Sequence, residues 1–152
     1  MRKLIVTAAT AAICIAGAAH AEDGIGVGKY RWNKKESHYE AGYYATEQTM
    51  VISKNNKDGL AVMQVVTPVD GKTFSWNIDA PYDDQMRPGS TWMSFAFSRI
   101  SDNQFHDRYI MNDTGEKGAE TFTITPKKLT IRGSSVHNGK EMSYVEVWDR
   151  GD

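Results

Sequence analysis

The chain has 152 residues, with 18 Lys and Arg against 19 Asp and Glu and a formal net charge of −1. That length suits one domain around a single core, and so even a charge balance gives no electrostatic ground for a nucleic-acid or anionic-membrane partner. A lone cysteine, Cys14, excludes an internal disulfide.

Arg2 and Lys3 open the chain, Leu4 to Ala19 is an uncharged run of apolar and small residues, and Ala19-His20-Ala21 supplies a small-x-small site before Glu22. Those three parts in that order are the pattern of a cleavable secretory signal peptide. The expected cut after Ala21 separates residues 1–21 from a domain over 22–152 and sends that domain to the periplasm or out of the cell. A membrane-spanning helix needs about 20 strongly apolar residues, and this run is shorter and rich in Ala and Thr. Cys14 follows Ala11-Ala12-Ile13, and a large Ile in that place fits lipid attachment badly. Cleavage removes Cys14, so the exported domain depends on packing alone. No later segment is apolar for long enough to span a bilayer.

Beyond residue 22 the pattern is period-2 alternation broken every 8–12 residues or so by turn residues, the signature of an all-β barrel or sandwich. Strands are expected at Lys29 to Asn33, Tyr44 to Lys54 and Leu60 to Val69, with a turn at Asn55-Asn56-Lys57-Asp58-Gly59 between the last two. The segment from Lys34 to Gly42 has room for a helical turn. After Asp70-Gly71-Lys72, a tight-hairpin sequence, Thr73 to Asp79 places Phe74, Trp76 and Ile78 on one face and Ser75, Asn77 and Asp79 on the other. A long polar connection from Pro81 leads through Pro88-Gly89 to Thr91 to Ile100, where Met93, Phe95 and Phe97 share a face. Gln104 to Asn112 groups Phe105, Asp107, Tyr109 and Met111 against His106, Arg108 and Ile110. Glu120 to Thr125, Leu129 to Arg132 and Met142 to Arg150 complete the set, with turns at Asp113-Thr114-Gly115 and Asn138-Gly139. Short links between successive strands predict a single up-and-down antiparallel β-barrel of about 8–9 strands, since closure removes unpaired edges.

Several short motifs recur in a known order. Gly28-Lys29-Tyr30-Arg31-Trp32-Asn33 is followed by Ser37-His38-Tyr39. Asp70-Gly71-Lys72 and Ala80-Pro81-Tyr82-Asp83 lead to Pro88 and Gly89, and Arg99-Ile100-Ser101-Asp102 precedes a strand. Thr125-Pro126-Lys127-Lys128-Leu129-Thr130 comes late, and Val147-Trp148-Asp149-Arg150 closes the chain. In order and spacing this resembles a family of small exported bacterial lipocalin-like domains, with Tyr30 where that family has Trp and without its usual Asp-Gly before the Leu129 strand. The resemblance implies a calycin-type barrel in which Arg150 from the last strand lies across Tyr30 or Trp32 near the open end, a cation–π contact. The family's activity is largely undefined, so what it adds is a fold and an analogy to ligand carriage.

Four Trp, seven Tyr and five Phe are present. In a barrel of about eight strands the alternating inward side chains either fill the interior or line a small cavity. Phe74, Trp76, Phe95, Phe97 and Tyr109, together with Trp32 and Trp148, are the candidate ligand-facing residues. An ordinary packed core is the competing reading of the same rings. His106-Asp107-Arg108 is the one dense polar cluster inside a strand. Alternation separates His106 from Asp107, which argues against an acid–base pair. It leaves Asp107, or Arg108 with the faces reversed, as a ligand-reading group inside the barrel, or else a plain surface charge pair. His38, His106 and His137 lack metal-ligand spacing, no Gly-x-Ser-x-Gly elbow is present, and Asp83-Asp84 reads as a solvated turn. No metal, cofactor or catalytic residue is expected. The sequence therefore points to an exported binding protein that holds an apolar or amphipathic small molecule in its barrel. The alternative is an envelope protein–protein module acting through the Pro81 to Ser90 connection on a solid barrel, and an enzyme is a distant third reading.

Overall fold

In the computed structural model, which describes residues 26–55 and 58–151, inward and outward side chains alternate along strand after strand. The expected signal segment and cleavage site lie outside these residues. The strands are β1 (Gly28–Trp32), β2 (His38–Tyr39), β3 (Ala45–Lys54), β4 (Gly59–Pro68), β5 (Phe74–Pro81), β6 (Arg87–Ser90), β7 (Met93–Ser101), β8 (Gln104–Met111), β9 (Lys117–Ile124), β10 (Lys128–His137) and β11 (Lys140–Arg150). On β3 the inward Gln48, Met50 and Ile52 are buried while Glu47, Thr49 and Ser53 are exposed. A sheet with that pattern must turn its apolar face onto itself or onto a second layer.

It turns onto itself. The hydrogen-bonded order is β5-β4-β3-β1-β11-β10-β9-β8-β7-β6, antiparallel throughout, and β2 pairs with β11 off this path. β5 and β6, the two ends of the order, come side by side without a ladder, so the barrel is nearly closed. The fold is all-β among the described residues, as its sequence periodicity requires.

Among the described residues eleven strands replace the eight or nine expected. β6 lies inside the Pro81 to Ser90 connection, where Pro88-Gly89 reads as a turn, and β2 is two residues long. β10 runs on from Arg132 to His137 through Gly133-Ser134-Ser135, a loop-like composition held in place by ladders on both sides. The β10–β11 hairpin turns on Asn138 (φ 52°) and Gly139 (φ 74°). Two successive left-handed residues form the type I′ turn whose twist matches that of the flanking strands. Between Trp32 and β2 the chain makes a single turn, with the Ser37 amide donating to the Asn33 carbonyl at 3.1 Å.

The core concentrates at one end, hereafter the floor. Phe105 and Phe122 stack with ring centroids 4.2 Å apart, Phe97 meets Phe105 edge-on at 5.8 Å, and Trp148, Leu129, Ile131, Ile52 and Leu60 are fully buried around them. The chain ahead of β1 crosses this end. The Tyr30 hydroxyl donates to the Gly26 carbonyl at 2.8 Å, and Arg150 Nη2 donates to the Val27 carbonyl at 2.6 Å.

Candidate functional site

At the opposite end the barrel is hollow. A cavity of about 580 Å³ opens where β3 begins, β4 ends and the β8–β9 and β10–β11 turns lie. Tyr43, Tyr44, Phe74 and Met142 stand at its mouth, and Trp76, Val62, Val66, Met93 and Phe97 line its walls. Trp76 meets Trp92 edge-on at 6.2 Å.

Strand register gives the cavity a polar band at mid-depth. Phe97 of β7 pairs with Asp107 of β8, Asp107 with Glu120 of β9, Glu120 with Gly133 of β10, Gly133 with Tyr144 of β11, and Tyr144 with Tyr39 of β2. Side chains at paired positions share a face, so one row crosses six strands at a single level. Glu146, two residues beyond Tyr144 on β11, points to the same interior and also lines the cavity.

Two mid-strand glycines make the row fit. A Cβ on Gly133 would lie 2.6 Å from the Tyr144 ring, and one on Gly118 would lie 2.2 Å from the ring of Tyr109, its register partner. Both tyrosines lie flat over backbone that carries no side chain, a close approach that glycine alone permits. The two hydroxyls thereby meet at 3.3 Å. Tyr144 donates its proton to Glu120 Oε1, and Tyr39, stacked on Tyr144 at 5.7 Å, donates to Glu146 Oε1. Trp148 Nε1 donates to the other Glu146 oxygen at 2.9 Å. On the facing wall Gln64 donates to Gln48 Oε1, which also accepts from Tyr44 at 3.0 Å. Asp107 Oδ1 has no hydrogen-bond partner.

Burial governs the protonation of these groups. Loss of water pushes the Asp107 carboxyl up to about 7, against the pull of the Arg108 charge. Glu120 is raised well above the usual carboxylate range, by burial first and then by the negative charges of Asp107 and Glu146. Glu146 is raised by burial, against the hydrogen bonds from Tyr39 and Trp148. Burial likewise pushes the Tyr109 hydroxyl up to about 12 and raises Tyr39, Tyr44 and Tyr144 further still. Burial thus favours the proton-bound form of each of these groups. Among the described residues no cluster of His, Cys, Asp and Glu is arranged to hold a metal.

No protein-family model matches this chain, and no curated protein matches it in sequence. Solved structures do match. A mutant of the fluorescent protein UnaG superposes with a TM-score of 0.54 at 13% identity, over 82% of this chain and 95% of that one. Secretory abundant heat soluble protein 4 from Ramazzottius varieornatus gives 0.54 at 11%, over 83% and 94%. The fold is lipocalin-like. At such identities the likeness is one of fold alone.

Within this lipocalin-like barrel the expected residues separate into three groups. Phe74, Trp76, Phe97, Asp107 and Tyr109 line the cavity. Trp32, Phe95 and Trp148 are buried in packed core outside its lining: Trp32 meets Tyr39 and Tyr43 edge-on, Phe95 lies over Gly89 and against Phe97, and Trp148 is held by Glu146. Arg108 points outward, as alternation from Asp107 requires, and its guanidinium binds Asp84 at 2.8 Å. The carbon at the centre of the Arg150 guanidinium does lie 6.0 Å from the Tyr30 ring, but at the floor and not at the open end, since the residues before β1 cross the floor and bind both side chains. Asp83 and Asp84 are ion-paired with Arg87 and Arg108 instead of simply solvated.

Sequence reading passed over Glu120, Glu146, Tyr144, Tyr39 and the Gln48–Gln64 pair. A signal was present for some of them. Glu120 shares a parity with Phe122, and Glu146 lies between Tyr144 and Trp148 in the same parity, so both carboxylates sit on an aromatic face. For Tyr39 nothing in the sequence marks a two-residue strand.

Proposed function

We propose that this chain is an exported carrier that holds one small, largely apolar or amphipathic molecule inside its barrel. The observation that carries this reading is the cavity of about 580 Å³, walled by Trp76, Phe97, Val62 and Val66 and open at one end. A space of that size, mostly apolar with a few converging polar groups, is the usual form of a small-molecule site. Unfilled apolar volume also costs stability, so a hollow in a barrel whose floor is tightly packed calls for an occupant. Export is supported by the order of basic, apolar and small-x-small segments over residues 1–21. The competing docking reading has less support, because the charged residues of the Pro81 to Ser90 connection pair within the chain.

The test uses Nile red, an uncharged probe whose emission shifts to the blue in apolar surroundings. The purified protein is expected to bind it with such a shift, and Trp76→Ala to weaken binding at least about fivefold. Native mass spectrometry of protein from its own host is expected to show a co-purified small molecule. Absence of both a probe signal and a bound molecule would overturn the reading.

A further inference from the structure

We infer that the molecule this barrel is built to hold carries a positively charged head, an alkylammonium or similar protonated amine, seated between Asp107 and Glu120 with its apolar body toward the mouth. The inference rests on the carrier reading above and names the ligand class of that same cavity.

The first observation is the sign of the interior. Asp107, Glu120 and Glu146 converge on the cavity from β8, β9 and β11. Among the described lining residues the cation is Lys117, the first residue of β9, exposed at the rim. Arg108 neighbours Asp107 along the strand but is turned outside and bound to Asp84. An anionic amphiphile entering this space would find no inward cation to receive its charge, whereas a cation finds three carboxyl groups able to ionise against it.

The second observation is independent of charge count. Asp107 is 4% exposed and lines the cavity, yet its Oδ1 has no partner within the protein. Buried polar atoms are almost always paired, and an orphan calls for an explanation. The other two carboxylates are held by donors, Glu120 by Tyr144 and Glu146 by Tyr39 and Trp148. Asp107 takes the backbone N–H of Arg108 but keeps Oδ1 free for something the cavity admits. A neutral apolar ligand would fill the volume and leave this oxygen orphaned. An ammonium brings three donors and no acceptor, enough for Asp107 Oδ1 and for the Glu120 lone pairs not engaged by Tyr144.

The aromatic groups agree. Tyr39 stacks on Tyr144, and Tyr44 stands edge-on to Tyr39 at 5.7 Å. Electron-rich ring faces beside carboxylates are what a desolvated cation favours.

Binding should then be coupled to protons. The groups that line the cavity with Asp107 are Glu120 from β9, Tyr144 and Glu146 from β11, Tyr109 on its own strand, Tyr39 of β2, Tyr44 ahead of β3, and Gln64 of β4. Phe97 faces it from β7. Arg108 reaches it from the outer face, and Glu116 and Lys117 lie at the rim. With Asp107 pushed up to about 7 by burial, the site without ligand holds a proton below that pH, which an arriving ammonium displaces. Affinity therefore rises with pH through about 7, and a proton is released on binding.

The experiment compares decylamine, decanol and decanoate, three probes sharing one chain, by titration calorimetry on the purified protein at pH 6 and pH 8. Decylamine is expected to bind at pH 8 about ten- to hundredfold more tightly than decanol and more tightly still than decanoate. It should weaken at pH 6 and release protons, read from runs in two buffers of different ionisation heat. Asp107→Asn, which keeps the side-chain shape, is expected to remove most of the preference for decylamine over decanol, read as the ratio of the two affinities. Glu120→Gln serves as a second variant. Decanol or decanoate binding as tightly as decylamine, or an undiminished preference in both variants, overturns the cationic head and leaves the carrier reading standing. If none of the three probes and no Nile red binds, both fall.

Discussion

Two adjacent rows of the same strands differ by a single step of two residues. In the floor row Phe105 of β8 faces Phe122 of β9, stacked at 4.2 Å. One step toward the mouth the same two strands present Asp107 opposite Glu120. Backbone, twist and register are shared, so the contrast lies in side chains alone. The floor row stabilises the barrel by burying rings, and only Phe122 of the stacked pair reaches the bottom of the cavity. The carboxylate row places like charges beside each other, raises both above the usual carboxylate range and leaves one oxygen unpaired. A sequence that breaks the local rule at one level of an otherwise consistent structure is marking a site.

The contrast is testable by damaging each row. The largest effect belongs to the floor. Phe122→Ala should destabilise the protein by about 3–5 kcal/mol, since it removes a buried ring stacked on Phe105. Urea unfolding measures it, and a loss under about 1 kcal/mol would mean that the floor is not the structural half. Next comes the glycine of the carboxylate row. Gly133→Ala drives a methyl into the Tyr144 ring and should cost about 1–3 kcal/mol, while also moving the hydroxyl that Tyr144 gives to Glu120. The expected outcome is a lowered Tm together with weakened probe binding.

The carboxylate row should respond in the opposite sense. The Asp107 carboxyl in the fold is pushed up to about 7, above its value of about 3.9 in an unfolded chain. Folding therefore favours the proton-bound form. The stability this contributes is complete below about pH 4 and is lost as pH rises through about 7. Asp107→Asn should flatten that decline and raise stability at pH 8 by about 1–2 kcal/mol. A variant less stable than the parent at pH 8 would show the carboxylate to be satisfied after all. The smallest effect is on the outside of the same strand. Arg108→Ala breaks an exposed ion pair with Asp84 and should change stability by less than about 1 kcal/mol, with probe affinity unaltered. A clear loss of affinity would place Arg108 among the ligand contacts.

How much of this could be read from the sequence follows from the physics of strands. Alternation from Phe105 placed Asp107 inward and Arg108 outward, because period-2 geometry is local and strict. Barrel and antiparallel order followed from short links. The residues around the cavity were harder, since an inward ring reads the same whether it fills space or borders it. Phe95 and Phe97 share a parity, yet one is buried in the core and the other lines the hollow. The Phe95 ring lies over Gly89 of β6, where a Cβ would come within 2.2 Å of it, and a glycine acting on a ring of the neighbouring strand leaves no mark on local pattern. Glu120 and Glu146 were legible in principle from parity with Phe122 and Trp148. A charged residue in a half-exposed strand is nonetheless expected on the solvent face, and the burial cost that contradicts this is a tertiary effect.

The seam between β5 and β6 bears on how this protein keeps apart from its own copies. Two strand edges without a ladder are templates on which another chain could add. β6 is four residues long and contains Pro88, which has no amide proton to offer. β5 shows Ser75, Asn77 and Asp79 to solvent and ends on Pro81. One edge is too short and the other too hydrophilic to seed strand-by-strand aggregation, so a barrel left unsealed is still guarded against fibre growth.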